Sequence, residues 1–252
     1  MKKLLSIFAL SLFVAQGASA ATVTNFTQAP KGVFSPQGFD DNDDVLVAVS
    51  GVFSNFCFKP APSIPRVDLN TRTIYIENRI NSMDNCVSAM LYIPYTNIVN
   101  IGILPQGNYQ VMLSDGKGGF TKRAIIPVVS SKPSRYSPDG ELYAPVSEVQ
   151  FKPGASANQA TITLIGTLSN SCLSLEDVQV NVRANNVVEV LPRAELATGR
   201  GCALTPLPFS KTVTINNFPA GDTLLHVRSM GGQSVNRVIT FLDRFHADSA
   251  QK

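Results

Sequence analysis

The stretch Gly51-Val52-Phe53-Ser54-Asn55-Phe56-Cys57 recurs as Gly166-Thr167-Leu168-Ser169-Asn170-Ser171-Cys172, with Gly, Ser, Asn and Cys at the same internal spacing. The two copies lie 115 positions apart in a chain of 252 residues. An alternating apolar run precedes each copy, and before the first it predicts a strand with Val45, Val47 and Val49 on one face. A second cysteine, Cys86 or Cys202, follows 29 or 30 residues later. Self-similarity on this scale predicts a duplicated folding unit of about one hundred residues, which is large enough for its own core.

The four cysteines are predicted to form structural disulfides. Four cysteines allow three pairings. Duplication favours Cys57 with Cys86 and Cys172 with Cys202, because each module must have folded alone before it was copied. A zinc site is disfavoured, since no C-x-x-C pair is present and the chain has two histidines.

A similar turn precedes a late strand in both modules. It reads Leu-Pro-x-Gly-Asn-Tyr at 104–109 and Phe-Pro-x-Gly-Asp-Thr at 218–223. Each module in this respect resembles the immunoglobulin-like or fibronectin type III-like domains of bacterial secreted proteins, although the chain has no Trp to pack beside a disulfide. About seven short alternating segments per module also favour a sandwich. We therefore predict an all-β chain of two tandem immunoglobulin-like antiparallel β-sandwich domains, with one disulfide each.

The N-terminus is typical of a bacterial secretory signal peptide. Lys2 and Lys3 precede an apolar run from Leu4 to Val14, and Ala18-Ser19-Ala20 fits a cleavage site. The run is too short to cross a membrane, which needs about twenty apolar residues. We expect a periplasmic or secreted protein with no transmembrane segment after signal removal. The predicted organisation is a signal peptide at 1–20, a first domain at 21–130, a linker at 131–141, a second domain at 142–246 and a flexible tail at 247–252.

The charge balance disfavours nucleic acid as a partner. The formal net charge is +3, and it falls to +1 without Lys2 and Lys3. A phosphate backbone attracts a basic stripe or patch, and none is present in the predicted mature chain.

Catalysis and cofactor binding have little support in the sequence. His226 lies within an alternating strand and His246 in the terminal segment, and neither has a counterpart in the other module. No nucleophile-elbow, P-loop or H-E-x-x-H motif occurs. We expect a protein that is not an enzyme and has no cofactor.

The acidic run before the first strong strand is a weak calcium candidate. Asp40, Asp41, Asp43 and Asp44 supply oxygen ligands of the kind that calcium prefers. The second module has no equivalent, and the D-x-D-x-D-G spacing is missing. A solvated turn before Val45 is the favoured interpretation.

Two sets of polar and aromatic side chains remain as binding candidates. Asn55 and Asn170 are expected to cap the strand end through hydrogen bonds to the backbone rather than to bind a ligand. Near the first disulfide, aromatic residues differ between the copies, and differences between copies can carry function. The candidate binding patch consists of Phe56, Phe58, Tyr92 and Tyr95, with filling of the first core as the alternative.

These observations predict an exported, non-enzymatic protein that binds a protein or a cell-surface glycan through sandwich loops or edge strands. A second hypothesis is a periplasmic folding factor that resembles two-domain pilus chaperones in architecture and completes client sheets by strand addition. A third is an accessory or inhibitory subunit of a secreted enzyme that presents a loop such as Pro60 to Pro65.

Overall fold

The computed structural model describes residues 23–84, 86, 89–131, 141–156, 158–197 and 201–240. The predicted signal peptide, most of the predicted linker, His246 and the predicted tail lie outside these residues. Apart from a 3₁₀ turn at Met230–Gly232, the regular elements of the described chain are strands, so the all-β prediction is confirmed. None of the described ranges contains a helix long and apolar enough to cross a membrane.

The N-terminal half, residues 23–131, contains eleven described strands. They are β1 (Val23–Thr27), β2 (Gly32–Phe34), β3 (Phe39–Asp40), β4 (Val45–Phe53), β5 (Phe58–Pro60), β6 (Ile64–Asp68), β7 (Thr73–Glu77), β8 (Arg79–Met83), β9 (Ile93–Gly102), β10 (Gly107–Ser114) and β11 (Phe120–Val129). Two of the three prolines in the Pro60 to Pro65 segment, Pro60 and Pro65, lie in the edge strands β5 and β6, where a missing N–H is tolerated.

The C-terminal half, residues 141–240, contains seven described strands. They are β12 (Val146–Pro153), β13 (Gln159–Leu168), β14 (Leu173–Arg183), β15 (Val187–Leu196), β16 (Leu207–Asn216), β17 (Thr223–Arg228) and β18 (Ser234–Ile239).

Five sheets are formed, and each described strand pairs only within its own half. Sheet I has the order β2-β4-β9, and sheet II has the order β3-β11-β10-β7-β6. A flanking sheet, β1-β8-β5, completes the N-terminal half. In the C-terminal half, sheet III is β12-β13-β16 and sheet IV is β14-β15-β17-β18.

Each half has a main apolar core between two of its sheets. Val45, Val47 and Val49 of β4 pack with buried side chains of sheet II. Ile162 and Leu164 of β13 pack in the same way with side chains of sheet IV. Because successive side chains of a strand point to opposite faces, the valine face predicted for β4 is the one that lines this core.

The sheets are not fully antiparallel, and this part of the fold prediction is wrong. Strand β7 runs parallel to β10, and β15 runs parallel to β17 at the same place in the other half. Strand β3 also runs parallel to β11. A parallel neighbour requires a long crossover connection. That connection passes through β9 or β16 of the opposite sheet, which alternating apolar segments alone do not specify.

The repeated glycine of the duplicated motif lies beneath an aromatic ring. Gly51 is paired across the strands with Tyr95, and Gly166 is paired with Phe209. A Cβ atom at Gly51 would collide with the Tyr95 ring. At Gly166 it would collide with the Phe209 ring and the Pro145 carbonyl oxygen. Both copies therefore keep glycine because a cross-strand ring and, in the second copy, the backbone occupy the space of a side chain.

Replacing Gly166 by alanine is expected to lower the free energy of unfolding by about 1 to 3 kcal/mol, the usual range for overpacking. The Pro145 carbonyl belongs to the backbone and cannot rotate away as a side chain can. Urea unfolding of Gly166→Ala would measure the effect. The matched control is Gly201→Ala, because no atom lies within 4 Å of a Cβ placed at Gly201. Equal stabilities of the two variants would contradict this account.

Candidate functional site

The first copy of the motif forms a tight turn that ends β4. The Asn55 side-chain oxygen Oδ1 accepts a hydrogen bond from the backbone N–H of Cys57 at 2.9 Å. In the second copy, Oδ1 of Asn170 accepts from the N–H of Cys172, also at 2.9 Å. The predicted capping role of both asparagines is confirmed.

The disulfides of the structure join Cys57 to Cys86 and Cys172 to Cys202, the pairing expected from duplication. Their Cα atoms are 5.5 and 5.4 Å apart, well within disulfide reach.

Near the first disulfide, four apolar side chains are exposed on a restrained backbone. The N–H of Leu91 donates to the carbonyl oxygen of Ser54 at 2.9 Å, which ties the backbone at Leu91 to the turn. Met90 is 93% exposed, Tyr92 91% and Phe56 55%. We call Phe56, Met90, Leu91 and Tyr92 the apolar tip.

The four aromatic candidates of the sequence do not form one surface. Phe56 and Tyr92 belong to the exposed tip, whereas Phe58 is half-buried beside Phe53. Tyr95 is 6% exposed and stacks on Phe53 at a centroid distance of 4.2 Å. Burial raises the pKa of the Tyr95 hydroxyl, which accepts a hydrogen bond from the Asn78 amide at 2.9 Å. Tyr95 and Phe58 therefore contribute to packing, as the core alternative expected.

A similar arrangement, with fewer exposed apolar side chains, lies near the second disulfide. The N–H of Ser171 donates to the carbonyl oxygen of Ala203, and the N–H of Ala203 donates back to Oγ of Ser171. Leu204, the next residue, is 87% exposed. In both halves a backbone hydrogen bond thus joins a residue beyond the second cysteine, Leu91 or Ala203, to the turn of the motif, but the larger exposed apolar group lies on the N-terminal half.

The carboxylates of the acidic run bind different partners and do not converge on one point. Oδ1 of Asp41 accepts from the N–H of Ser131, and this bonding lowers the Asp41 pKa. Asp43 is buried and pairs with Arg228, while Asp44 accepts a hydrogen bond from the Gln233 amide. Within the described residues, no three His, Cys, Asp or Glu side chains are grouped to hold a metal ion.

Strand β17 is buried on both faces because it lies between the core of its own half and the N-terminal half. Leu225 and Val227 point into the C-terminal core. Leu224 packs instead with Phe34 and Ala48 of the N-terminal half. His226 and Arg228 share the outward face with Leu224, since side chains two apart lie on the same side of a strand.

This outward face of sheet IV contacts residues 34–48, and we call the contact the joint. The Arg228 guanidinium pairs with the Asp43 carboxylate, donates to the carbonyl oxygen of Gly38 and lies 4.6 Å from the centroid of the Phe39 ring. On β15, Glu189 accepts the N–H of Gln37 at 2.7 Å. The solvated turn expected for residues 40–44 is therefore partly wrong, because Asp43 is buried against Arg228.

His226 is fully buried in the joint. Its Nδ1–H donates to Oδ1 of Asn236 at 2.6 Å, and its ring meets the Phe39 ring edge-on at 5.7 Å. Nε2 has no hydrogen-bond partner among the described residues. Burial, assisted by the positive charge of Arg228, lowers the pKa of His226 to about 3. The ring is therefore neutral at ordinary pH.

A shallow cleft of about 440 Å³ opens beside the joint. Phe34 and Ser50 line one side, and Asn185 and Asp222 line the other. The Asn185 amide donates across the boundary to the carbonyl oxygen of Ser35 at 2.9 Å, so it helps to hold the halves together.

Comparisons of the sequence with protein-family models, curated proteins and solved structures found no match.

Sequence reasoning missed the joint, although one local signal was present. Leu224 and Leu225 are adjacent, which breaks the alternation of apolar and polar residues expected for a strand with one solvent-exposed face. Apolar residues at both parities are typical of strands buried on two sides. Met90 and Leu91 were missed because they are aliphatic, whereas the predicted patch consists of aromatic residues alone.

Proposed function

We propose that this chain is an exported, non-enzymatic binding protein that recognises a protein partner through the apolar tip. The supporting observation is that Met90 and Tyr92 are each more than 90% exposed on a backbone restrained by a disulfide and a hydrogen bond. A restrained loop loses little conformational entropy on binding, and burying each large apolar side chain is worth about 1.5 to 3 kcal/mol.

A protein fits the tip better than a glycan does. Tyrosine is common in the energetic centres of protein interfaces, and methionine adapts to irregular apolar surfaces. Leu91 and Met90 add aliphatic surface, which has no planar face for stacking on a sugar ring.

Loop binding is also favoured over strand addition. Strand β14 is eleven residues long and lies at a sheet edge, but its register shifts between Leu175 and Asp177, where Glu176 and Asp177 are exposed. Strand β16, at an edge of sheet III, carries Lys211 near its centre. Bulges and charged side chains protect edges from pairing with another chain.

The non-enzymatic assignment rests on the state of His226. This histidine is buried, bonded to Asn236 and neutral, so it cannot exchange protons with a substrate at the surface. Export is supported by the two disulfides, which persist in oxidising compartments.

An immunoglobulin-like relationship is part of the proposal. Tyr109, at the start of β10, donates its hydroxyl to the carbonyl oxygen of Pro105 at 2.9 Å. A tyrosine near the start of a late strand whose hydroxyl bonds to the backbone a few residues upstream characterises the tyrosine corner of immunoglobulin-like sandwiches. Thr223 makes the corresponding contact with Pro219. The parallel neighbour of β10 is a departure from that topology.

The test compares the wild type with Met90→Ser/Tyr92→Ser. A photoreactive amino acid in place of Tyr92 would first capture the partner under export conditions, and a glycan array would run in parallel. We expect one protein to be captured at this position. Binding of the purified partner should weaken at least about tenfold in the double variant, since 1.4 kcal/mol corresponds to tenfold.

Val182→Ser is the matched control, because Val182 is also an exposed apolar residue but lies on β14. It should bind the partner as the wild type does. Equal affinity of all three proteins would contradict the tip as the binding site. Specific glycan binding that is lost in the double variant would replace the protein partner by a sugar.

A further inference from the structure

The joint concentrates ionisable side chains between the two halves. Arg228 and His226 face it from β17, and Glu189 faces it from β15. Asp43 and Asp44 approach from the N-terminal half. Arg183 of β14 bonds to the other carboxylate oxygen of Glu189, with its Nε 2.8 Å from Oε2.

Each of these contacts requires one protonation state. Asp43 must be ionised to pair with Arg228, and Glu189 must be ionised to pair with Arg183 while accepting the N–H of Gln37. His226 must be neutral, because its ring is buried close to the Arg228 charge. A change in the charge of any one of these three side chains would oppose its contact. Loss of the Asp43 charge would leave Arg228 as a buried cation without an anionic partner, which is strongly destabilising.

We propose that the joint is an acid-released coupling, which holds the two halves as one body at neutral pH and opens on acidification while each half stays folded. Separate folding is supported by the strand pairing, which remains within each half among the described residues. Each half also has its own core and its own disulfide.

The direction of the pH effect follows from His226. In the open state its pKa is near the ordinary value of about 6.5, whereas in the closed joint it is about 3. The open state therefore takes up a proton below pH 6.5 that the closed state does not. Neutral His226 therefore stabilises the closed joint fully above about pH 6.5, and this stabilisation is lost as the pH falls towards 3. Over that range the equilibrium constant for closure falls by a factor of up to about 10³.

The experiment is a pH titration of the full mature chain from 7.5 to 3.5, followed by small-angle X-ray scattering and far-ultraviolet circular dichroism. We expect the radius of gyration to rise by about 3 Å or more as the halves separate from a compact body. The β-sheet dichroism should be unchanged over the same interval. A constant radius, or a rise only together with loss of the β-sheet signal, would overturn the proposal.

Two variants separate the joint from general acid instability. Asp43→Asn imitates the protonated carboxyl and should open at neutral pH. His226→Asn keeps an amide N–H near the position of Nδ1 but takes up no proton, so its transition should be less steep and centred at a lower pH. Asp177→Asn, on exposed β14, should follow the wild type. If His226→Asn and the wild type share one transition curve, proton uptake by His226 is not the trigger.

Discussion

Replacing Arg228 by methionine is expected to lower the free energy of unfolding by about 3 to 5 kcal/mol, the usual result of removing one partner from a buried ion pair. Arg228 is 3% exposed, so in the closed joint the Asp43 carboxylate would be buried without its cation. The substitution also removes the hydrogen bond to Gly38 and the guanidinium over the Phe39 ring. Urea unfolding followed by circular dichroism would measure the loss.

The control for this substitution is Arg193→Met. Arg193 pairs with Glu141 at 2.9 Å, but both side chains are largely exposed. Exposed pairs contribute about 1 kcal/mol or less, so the control should stay close to the wild type. The double variant Arg228→Met/Asp43→Leu should regain much of the loss, because an apolar pair leaves no buried charge. If Arg228→Met lowers the free energy of unfolding no more than Arg193→Met does, the joint does not contribute to stability.

Removing either disulfide is expected to lower the free energy of unfolding by about 3.5 kcal/mol in the chain-entropy model. The cysteines are separated by 29 residues in the first loop and by 30 in the second, so the two losses should be nearly equal. The variants are Cys57→Ala/Cys86→Ala and Cys172→Ala/Cys202→Ala. Chemical unfolding of both proteins gives the comparison.

The same pair of variants distinguishes stability from binding. The first disulfide holds the backbone beside the apolar tip, whereas the second lies in the other half. At a temperature where both variants are folded, we expect partner binding to weaken only in Cys57→Ala/Cys86→Ala. Equal weakening in both would indicate that binding depends on general stability rather than on a restrained tip.

Local features of the chain could be predicted because their causes are local in sequence. The asparagine caps need only an acceptor two residues before a free N–H, and the motif supplies it in both copies. The disulfide pairing follows from the duplication itself. The valine face of β4 follows from the period of two along a strand.

The candidate binding patch was only partly predictable, because the burial of an aromatic side chain depends on its neighbours in the fold. Tyr92 and Tyr95 are three residues apart and chemically identical, yet one is exposed and the other is buried. Tyr95 is buried because β9 places it across from Gly51, where its ring fills the space that a side chain would take. The identity of a cross-strand neighbour depends on register, which is set by the fold and not by composition.

The sequence by itself determined the all-β class, the strong strands β4 and β13, the caps and the two disulfides, because each depends on short-range periodicity or on comparison of the two copies. Only the tertiary structure decided the parallel strand pairs, the separation of Tyr92 from Tyr95, and the burial of Asp43 and His226. These depend on contacts between distant segments. The Asp43 carboxylate and the Arg228 guanidinium are compatible with water until another part of the chain excludes it, so their pairing arises only where the two halves meet.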